Sequence, residues 1–266
     1  MISIIPKPTD QPDDNSTKMV LNELDRMGVP FRVRYLETID PFDTTIENET
    51  IWACGIRQNG QNFEVLNALA LSNRVVNSPD GIVTCASKVA TSARLVRAGI
   101  ETPVTFFGEA RALAYDFLEH WGQVVYKPVY GFDGNGIVLV SNEEELDAIE
   151  PPFYLQEYIP SVRDFRVFVI EDEAVGAIMR QSDSLLHNIH QGGIGQAVYV
   201  DDEMADLAVR SAKSVGVDYG GVDLIERGSE YSVLEVNGTP NWHCMAAPIP
   251  RLLAEFLVRC DEREMY

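Results

Sequence analysis

The chain has 266 residues, 45% of them hydrophobic, enough to bury a large core in one large or two modest domains. Its 41 acidic and 21 basic side chains give a formal charge of −20, a surface that disfavours nonspecific nucleic-acid or membrane binding. There is no run of about 18 apolar residues to span a membrane, and the segment from Met1 to Pro8 turns polar too soon for a secretory signal.

Cys54, Cys85, Cys244 and Cys260 are scattered without a Cys-x-x-Cys pair, which fits a reduced, cytoplasmic protein with inert thiols. The chain has five lysines: Lys7, Lys18, Lys88, Lys127 and Lys213. Such scarcity draws attention to those that fall inside motifs.

In chain order, residues 1–82 read as a small α/β unit. A strand over Ile2–Ile5 is followed by a helix over Asn15–Met27, with Asn15 or Ser16 as cap and Gly28 as stop. Strands at Phe31–Leu36, Ile51–Ile56 and Arg74–Val76, with a helix at Asn62–Leu71, predict a mostly parallel sheet. No glycine-rich turn follows the first strand, so the dinucleotide fingerprint is missing. Thr84–Ala98 reads as one helix, Pro103–Phe107 as a strand and Glu109–Trp121 as a helix. Strands at Val124–Val129 and Ile137–Val140 bracket a glycine loop, and an acidic helix spans Asn142–Ile149. Three strands follow, at Tyr154–Ile159, Phe165–Ile170 and Ala174–Arg180, then a loop from Gln181 to Gly195. A helix over Asp201–Val215, a hairpin and a helix over Pro250–Asp261 complete the chain.

The hairpin carries the strongest chemical signal. Two β-prone runs, Val222–Ile225 and Tyr231–Val236, flank a turn at Gly228 and Ser229. Alternation turns Val222, Leu224, Leu234 and Val236 to a core and Asp223, Glu235 and Asn237 to the other face. A three-residue loop (Gly228–Glu230) sets Asp223 opposite Glu235; a two-residue loop pairs it with Leu234 instead. Converging carboxylates repel unless a cation sits between them, and hard oxygen ligands with room for water and phosphate suit Mg²⁺. A solvated polar face is the plainer alternative for this hairpin taken alone.

Further upstream, Lys127 precedes a loop with Gly131, Gly134 and Gly136, where backbone N–H groups can approach phosphates. The order Gly-x-x-Gly-x-Gly between two strands is neither a Walker loop nor a dinucleotide turn. Gln156 and Glu157 put polar groups at the end of an apolar strand, followed by Tyr158. Asp164 and Arg166 share one strand face, and Arg180 ends the next strand; two arginine forks aimed at one cleft suit a phosphate or acyl-phosphate. His187, Asn188 and His190 lie in the 181–195 loop, where zinc is disfavoured for want of a third soft ligand. Trp242 reads as core packing or a stacking surface, with His243 beside it.

Taken in order, these pieces resemble the ATP-grasp carboxylate–amine ligases, in particular the RimK-like glutamate ligases. The resemblance runs from about Ser87 to Pro240. It comprises Ser-Lys at Lys88, Val-Tyr-Lys-Pro, the glycine loop, Gln-Glu-Tyr-Ile, Asp-x-Arg, Asn-x-x-x-Gly-Gly, Gly-Val-Asp and Glu-Val-Asn-x-x-Pro. It implies an α/β chain, α+β in its C-terminal part: an ATP-grasp fold over residues 83–266, in two subdomains enclosing ATP, after a pre-ATP-grasp domain over 1–82. It also implies that Lys88 and Lys127 contact ATP phosphates, with Gly134 in the covering loop. Glu157 and Tyr158 would line the adenine site partly through backbone, Asp164 would hold the ribose, and Asn188 would lie near the phosphates. Asp223, Glu235 and Asn237 would hold two Mg²⁺ ions, with Mn²⁺ an alternative, while Arg166 and Arg180 would stabilise the transferring phosphoryl group.

The implied reaction is phosphorylation of a carboxylate by ATP, followed by attack of an amine on the acyl-phosphate. Its partners would be a small carboxylate and an amino acid, glutamate being expected; a homo-oligomer is compatible with the same features. The resemblance has departures. Protein-modifying members have a longer loop with an arginine near the position of Leu186, and the run after Asn237 looks more like archaeal relatives that add glutamate to a pterin or deazaflavin coenzyme. A protein acceptor and a non-catalytic ATP-binding regulator are the alternatives. Asp223→Asn and Glu235→Gln are both expected to abolish ligation with little loss of folding.

Overall fold

The computed structural model describes residues 1–11, 15–58, 60–131, 135–161, 163–181, 194–242 and 244–264. The first unit alternates as predicted: β1 (Ile2–Ile5), α1 (Ser16–Arg26), β2 (Phe31–Val33), β3 (Thr50–Ala53), α2 (Gln61–Leu69) and β4 (Arg74–Val76). Its four strands form a parallel sheet in the order β2-β1-β3-β4. Asn15 starts α1 by accepting a hydrogen bond from Lys18 N, which satisfies one of the first-turn amides.

The helix expected over Thr84–Ala98 is two helices. α3 (Pro79–Ala86) begins with Ser78 as cap and proline in its first turn, and α4 (Lys88–Arg97) begins with Ser87 as cap. Ser87 is extended, and its hydroxyl accepts from Ala90 N, so a residue read as helix interior is a stop and a start. The expected domain division after residue 82 runs through α3.

β5 (Thr105–Gly108), α5 (Arg111–Trp121), β6 (Val124–Tyr126), β7 (Val138–Val140), α6 (Glu143–Asp147) and β8 (Phe153–Glu157) form the next unit. Its antiparallel sheet runs β5-β8-β6-β7, with Ala114 and Leu118 of α5 and Leu146 of α6 packed on Val124, Phe153 and Leu155. Lys127 falls one residue past β6, although its N–H still bonds Tyr154 O.

β9 (Arg163–Ile170), β10 (Glu173–Gln181), β11 (Ile194–Val198), α7 (Asp202–Val215), β12 (Tyr219–Arg227) and β13 (Glu230–Asn237) build the third unit, and α8 (Ile249–Glu264) follows. Its antiparallel sheet has the order β11-β10-β9-β12-β13. β11 lies at the end of the stretch read as loop, and its Gly-Gln interruption of an apolar run hides the strand period.

Alternation along β9 explains how this sheet is buried. Phe165, Val167 and Val169 join Val222, Leu224, Val233 and Val236 beneath α7, through Met204, Leu207, Ala208 and Ala212. The opposite face is split along its length. Phe168 and Ile170 join Tyr219, Trp242 and α8 residues Leu253, Phe256 and Leu257 in a core shared with Ile2, Ile4, Val20, Leu24 and Trp52. Asp164 and Arg166, on that same face, occupy its polar half. Trp242 therefore belongs to the core, at 9% exposure.

Candidate functional site

The polar half of this face is assembled by register. Asp164 pairs with Arg180 across β9 and β10, and Arg166 pairs with Asp223 across β9 and β12. Arg227 pairs with Glu230, so the hairpin loop has two residues, Gly228 and Ser229, the case that sends Asp223 to Leu234. A β-bulge between the Leu224–Val233 and Asp223–Glu235 pairs restores the other register. Asp223 thus lies opposite Glu235, and Gly221 opposite Asn237. The same bulge corrects the expected core: Val233 is fully buried where Leu234 was expected, and Leu234 is only half-buried.

Asp223 is held by both arginines. Arg166 donates from Nε to Oδ1 and from Nη2 to Oδ2, each at 2.7 Å, and Arg180 Nη2 lies 3.1 Å from Oδ2. Arg180 Nε also donates to Asp164 Oδ1 at 2.5 Å. Burial opposes ionisation of Asp223, yet Arg166 and Arg180 hold its carboxyl well below the usual carboxylate range. Gly221 makes room for this clamp: a Cβ there would lie 2.9 Å from Pro240 Cβ and 3.3 Å from Arg166 Cδ.

Glu235 and Asn237 are less committed. Asn237 Nδ2 approaches Glu235 Oε1 and Gly221 O at 3.4 Å each, and among the described residues its Oδ1 accepts no hydrogen bond. Two carboxylates and a free amide oxygen form a hard donor set that fits Mg²⁺ with water or phosphate completing the shell.

Two lysines face this set. Lys88 Nζ donates to Gly131 O at 3.1 Å, tying the start of α4 to the glycine loop. The Lys127 ammonium makes no hydrogen bond or ion pair among the described residues. Desolvation pushes its pKa down to about 8, and Lys88 adds to the effect while Glu235, Asp223 and Asp164 oppose it. Among the described residues, Lys127 senses Lys88 as well as Asp164, Asp223 and Glu235, and Arg166 and Arg180 hold Asp223, so four cations gather with three carboxylates in a protein of formal charge −20. Such a cluster attracts a polyanion that the rest of the surface repels.

If Lys127 receives a phosphate, ATP binding should raise its pKa and take up part of a proton at pH 8.5 but none at pH 6.5. Calorimetry in buffers of different ionisation enthalpy measures this, and equal uptake at both pH values would exclude Lys127 as the source.

Glu157 and Tyr158 sit where β8 leaves its sheet towards β9. The Glu157 side chain is turned away from the arginine–aspartate cluster: its Oε1 accepts from Val104 N at 2.9 Å and from Arg227 Nη2. Sequence reasoning missed Arg227, whose partner lies 70 residues away; a basic residue beside a Gly-Ser turn was the available signal. Of the expected positions, Gly134 and Asn188 lie outside the described residues, as do Leu186, His187, His190 and His243.

Residues 85–250 match the family described as the RimK-like ATP-grasp domain. The tetrahydromethanopterin:alpha-L-glutamate ligase of Methanocaldococcus jannaschii is 32% identical over 231 residues, covering 81% of this chain and 78% of that protein. A probable alpha-L-glutamate ligase of Stenotrophomonas maltophilia is 33% identical over 193 residues, covering 68% of this chain and 64% of that protein. Among solved structures, the ATP-grasp ligase PsnB complexed with a minimal precursor superposes with a TM-score of 0.78 at 21% identity, covering 97% of this chain and 98% of that one. The D-cycloserine synthetase DcsG gives 0.76 at 16%, covering 99% of each chain. Among the described residues, no helix is long and apolar enough to cross a membrane.

Proposed function

The chain belongs to the RimK-like ATP-grasp family, and we propose that it joins L-glutamate to the carboxylate of a small coenzyme of the tetrahydromethanopterin type, at the expense of ATP. The observation that carries this reading is the bulge-restored register, which gathers Asp223, Glu235 and Asn237 beside Arg166 and Arg180 on one sheet face.

In this reaction the acceptor carboxylate attacks the γ-phosphorus of ATP and releases ADP. The glutamate amine then attacks the acyl carbon, phosphate leaves with the electron pair of the broken C–O bond, and the amine gives up a proton. In our reading Arg166 and Arg180 stabilise the transferring phosphoryl group as forked donors already aligned by Asp223 and Asp164. Lys88 and Lys127 draw in the phosphates, while the Glu157–Tyr158 backbone borders the adenine and Asp164 the ribose. Asp223, Glu235 and Asn237 would hold two Mg²⁺ ions, or Mn²⁺ in their place. Bound there, the metal would supply charge neutralisation to the phosphates. Because no covalent nucleophile is needed, the buried Cys54 and Cys260 can serve as packing groups.

The test is ADP release by the purified protein with ATP, Mg²⁺, L-glutamate and tetrahydromethanopterin, with mass spectra of the products. A gain of one or more glutamyl units on the coenzyme is the expected result. A gain on protein from the macromolecular fraction of the source cell, and none on the coenzyme, would replace this acceptor with a protein one.

A further inference from the structure

We propose that Arg227 is a positioning residue of the nucleotide site, fixing through Glu157 the backbone that the adenine ring would meet. The inference rests on the assignment of Glu157 and Tyr158 to the adenine edge.

Among the described residues, two chain segments run between the β5–β8 sheet and the third unit: residues 99–104, from α4 to β5, and residues 158–161, after β8. They are joined at Val104 and Glu157. Glu157 N donates to Val104 O at 2.9 Å, and Val104 N donates to Glu157 Oε1 at 2.9 Å, so one residue occupies both backbone groups of the other. Glu157 is buried, and a buried carboxylate needs a cation or several donors to stay charged.

Arg227 supplies that cation from the tip of the β12–β13 hairpin, through Nη2 to Glu157 Oε1, while its Nε lies 3.7 Å from Glu101 Oε1. The first crossing is also stitched to β13: Val233 N donates to Glu101 O at 2.8 Å, and Thr102 Oγ1 donates to Val233 O at 2.8 Å. The hairpin that carries Asp223, Glu235 and Asn237 at one end therefore carries, at its tip, the clamp on the Glu157–Tyr158 segment. One hairpin thus carries both the proposed metal ligands and the clamp on the proposed adenine edge.

With its carboxylate and its N–H both committed to Val104, and Tyr158 N donating to Gln123 O at 3.3 Å, Glu157 has its carbonyl oxygen to offer a purine. Backbone donors and acceptors distinguish adenine from guanine only when their positions are fixed, because the two rings present opposite hydrogen-bonding groups at the six-position. Loss of Arg227 frees Glu157 to rotate and lets the segment drift, so base discrimination should suffer before chemistry does.

The experiment compares wild type, Arg227→Met, Arg227→Lys and the double variant Glu157→Gln/Arg227→Met. Binding of a fluorescent ATP analogue and its displacement by ATP and GTP would be read alongside the KM and kcat of ATP turnover and thermal melts. For Arg227→Met we expect the ATP-over-GTP preference to fall about tenfold and the KM for ATP to rise about tenfold, with kcat within about twofold of wild type. Arg227→Lys, which keeps the charge but not the fork, should recover part of the preference. The double variant removes both charges while Gln keeps an acceptor for Val104 N; it should fold even if Arg227→Met does not, and it should still discriminate poorly. Wild-type discrimination in either Arg227→Met or the double variant would overturn the proposal. Failure of the wild type itself to bind the ATP analogue would instead overturn the nucleotide assignment.

Discussion

Asp223→Asn should lower turnover by at least about a thousandfold and also weaken the fold by about 3 kcal/mol, the cost of removing one partner from a buried ion pair. Both arginines that grip Asp223 are largely buried, with side-chain exposures of 16% for Arg166 and 8% for Arg180. An amide in place of the carboxylate leaves two guanidinium charges facing Asp164 alone among the clamp's acids. The expectation from sequence, that Asp223→Asn and Glu235→Gln behave alike, therefore divides in two. Among the described residues Glu235 makes one weak 3.4 Å hydrogen bond, so Glu235→Gln should be equally inactive yet cost less than about 1 kcal/mol. Urea denaturation of the two variants checks this; equal stability would show that the clamp contributes nothing to folding.

The acid limb of stability gives the same argument a sign. The folded-state pKa of Asp223 is lowered, so its contribution is complete above the unfolded-state value of about 3.9 and is lost as pH falls below it. Asp223→Asn should remove that acid-sensitive component and flatten the stability profile below pH 4.

Arg166→Ala should remove turnover by about a thousandfold, the scale on which an arginine stabilises a transferring phosphoryl group, while ATP still binds. Arg180 remains to pair with Asp223, so the stability loss should be smaller than in Asp223→Asn. The stem of Arg166 lies against Gly221, so alanine also opens space beside the strand carrying Asp223. Arg166→Lys fills that space and keeps the charge but cannot make the two parallel 2.7 Å bonds; it should recover stability and little activity. Single-turnover kinetics with a separate measure of ATP affinity checks this. A normal rate in Arg166→Ala would remove Arg166 from the reaction.

Much of the fold was legible because local patterns agreed with the final packing. The strand–helix alternation of the first unit, the Asn15 cap and the apolar alternation of β9 and β12 are each written in a few adjacent residues. The arginine–aspartate cluster was half legible: Asp164 and Arg166 share a face by parity, but their partners Arg180 and Asp223 come from register, which no single strand specifies. The hairpin shows the difficulty most clearly. Its turn is the short one, and the pairing expected of the long turn is recovered by a bulge whose only trace in sequence is an extra residue. Ser87 was read two ways, inside a helix over Thr84–Ala98 and in a Ser-Lys pair before a helix, because a serine between helix formers serves equally as interior or cap. Arg227 was missed because its meaning depends on a partner brought close by the whole topology.

The shared core behind the first sheet also bears on how the molecule is made. Val20 and Leu24 of α1, with Ile4 and Trp52 beneath them, are covered by Leu253, Phe256 and Leu257 of α8, which is far from them in sequence. During vectorial synthesis this sheet leaves the ribosome with that apolar surface bare, and it stays bare until α8 follows it. Contacts so remote in sequence carry a large loop-closure cost and slow the final collapse. This surface is thus most prone to aggregation between completion of the parallel sheet and arrival of α8, an interval set by elongation speed.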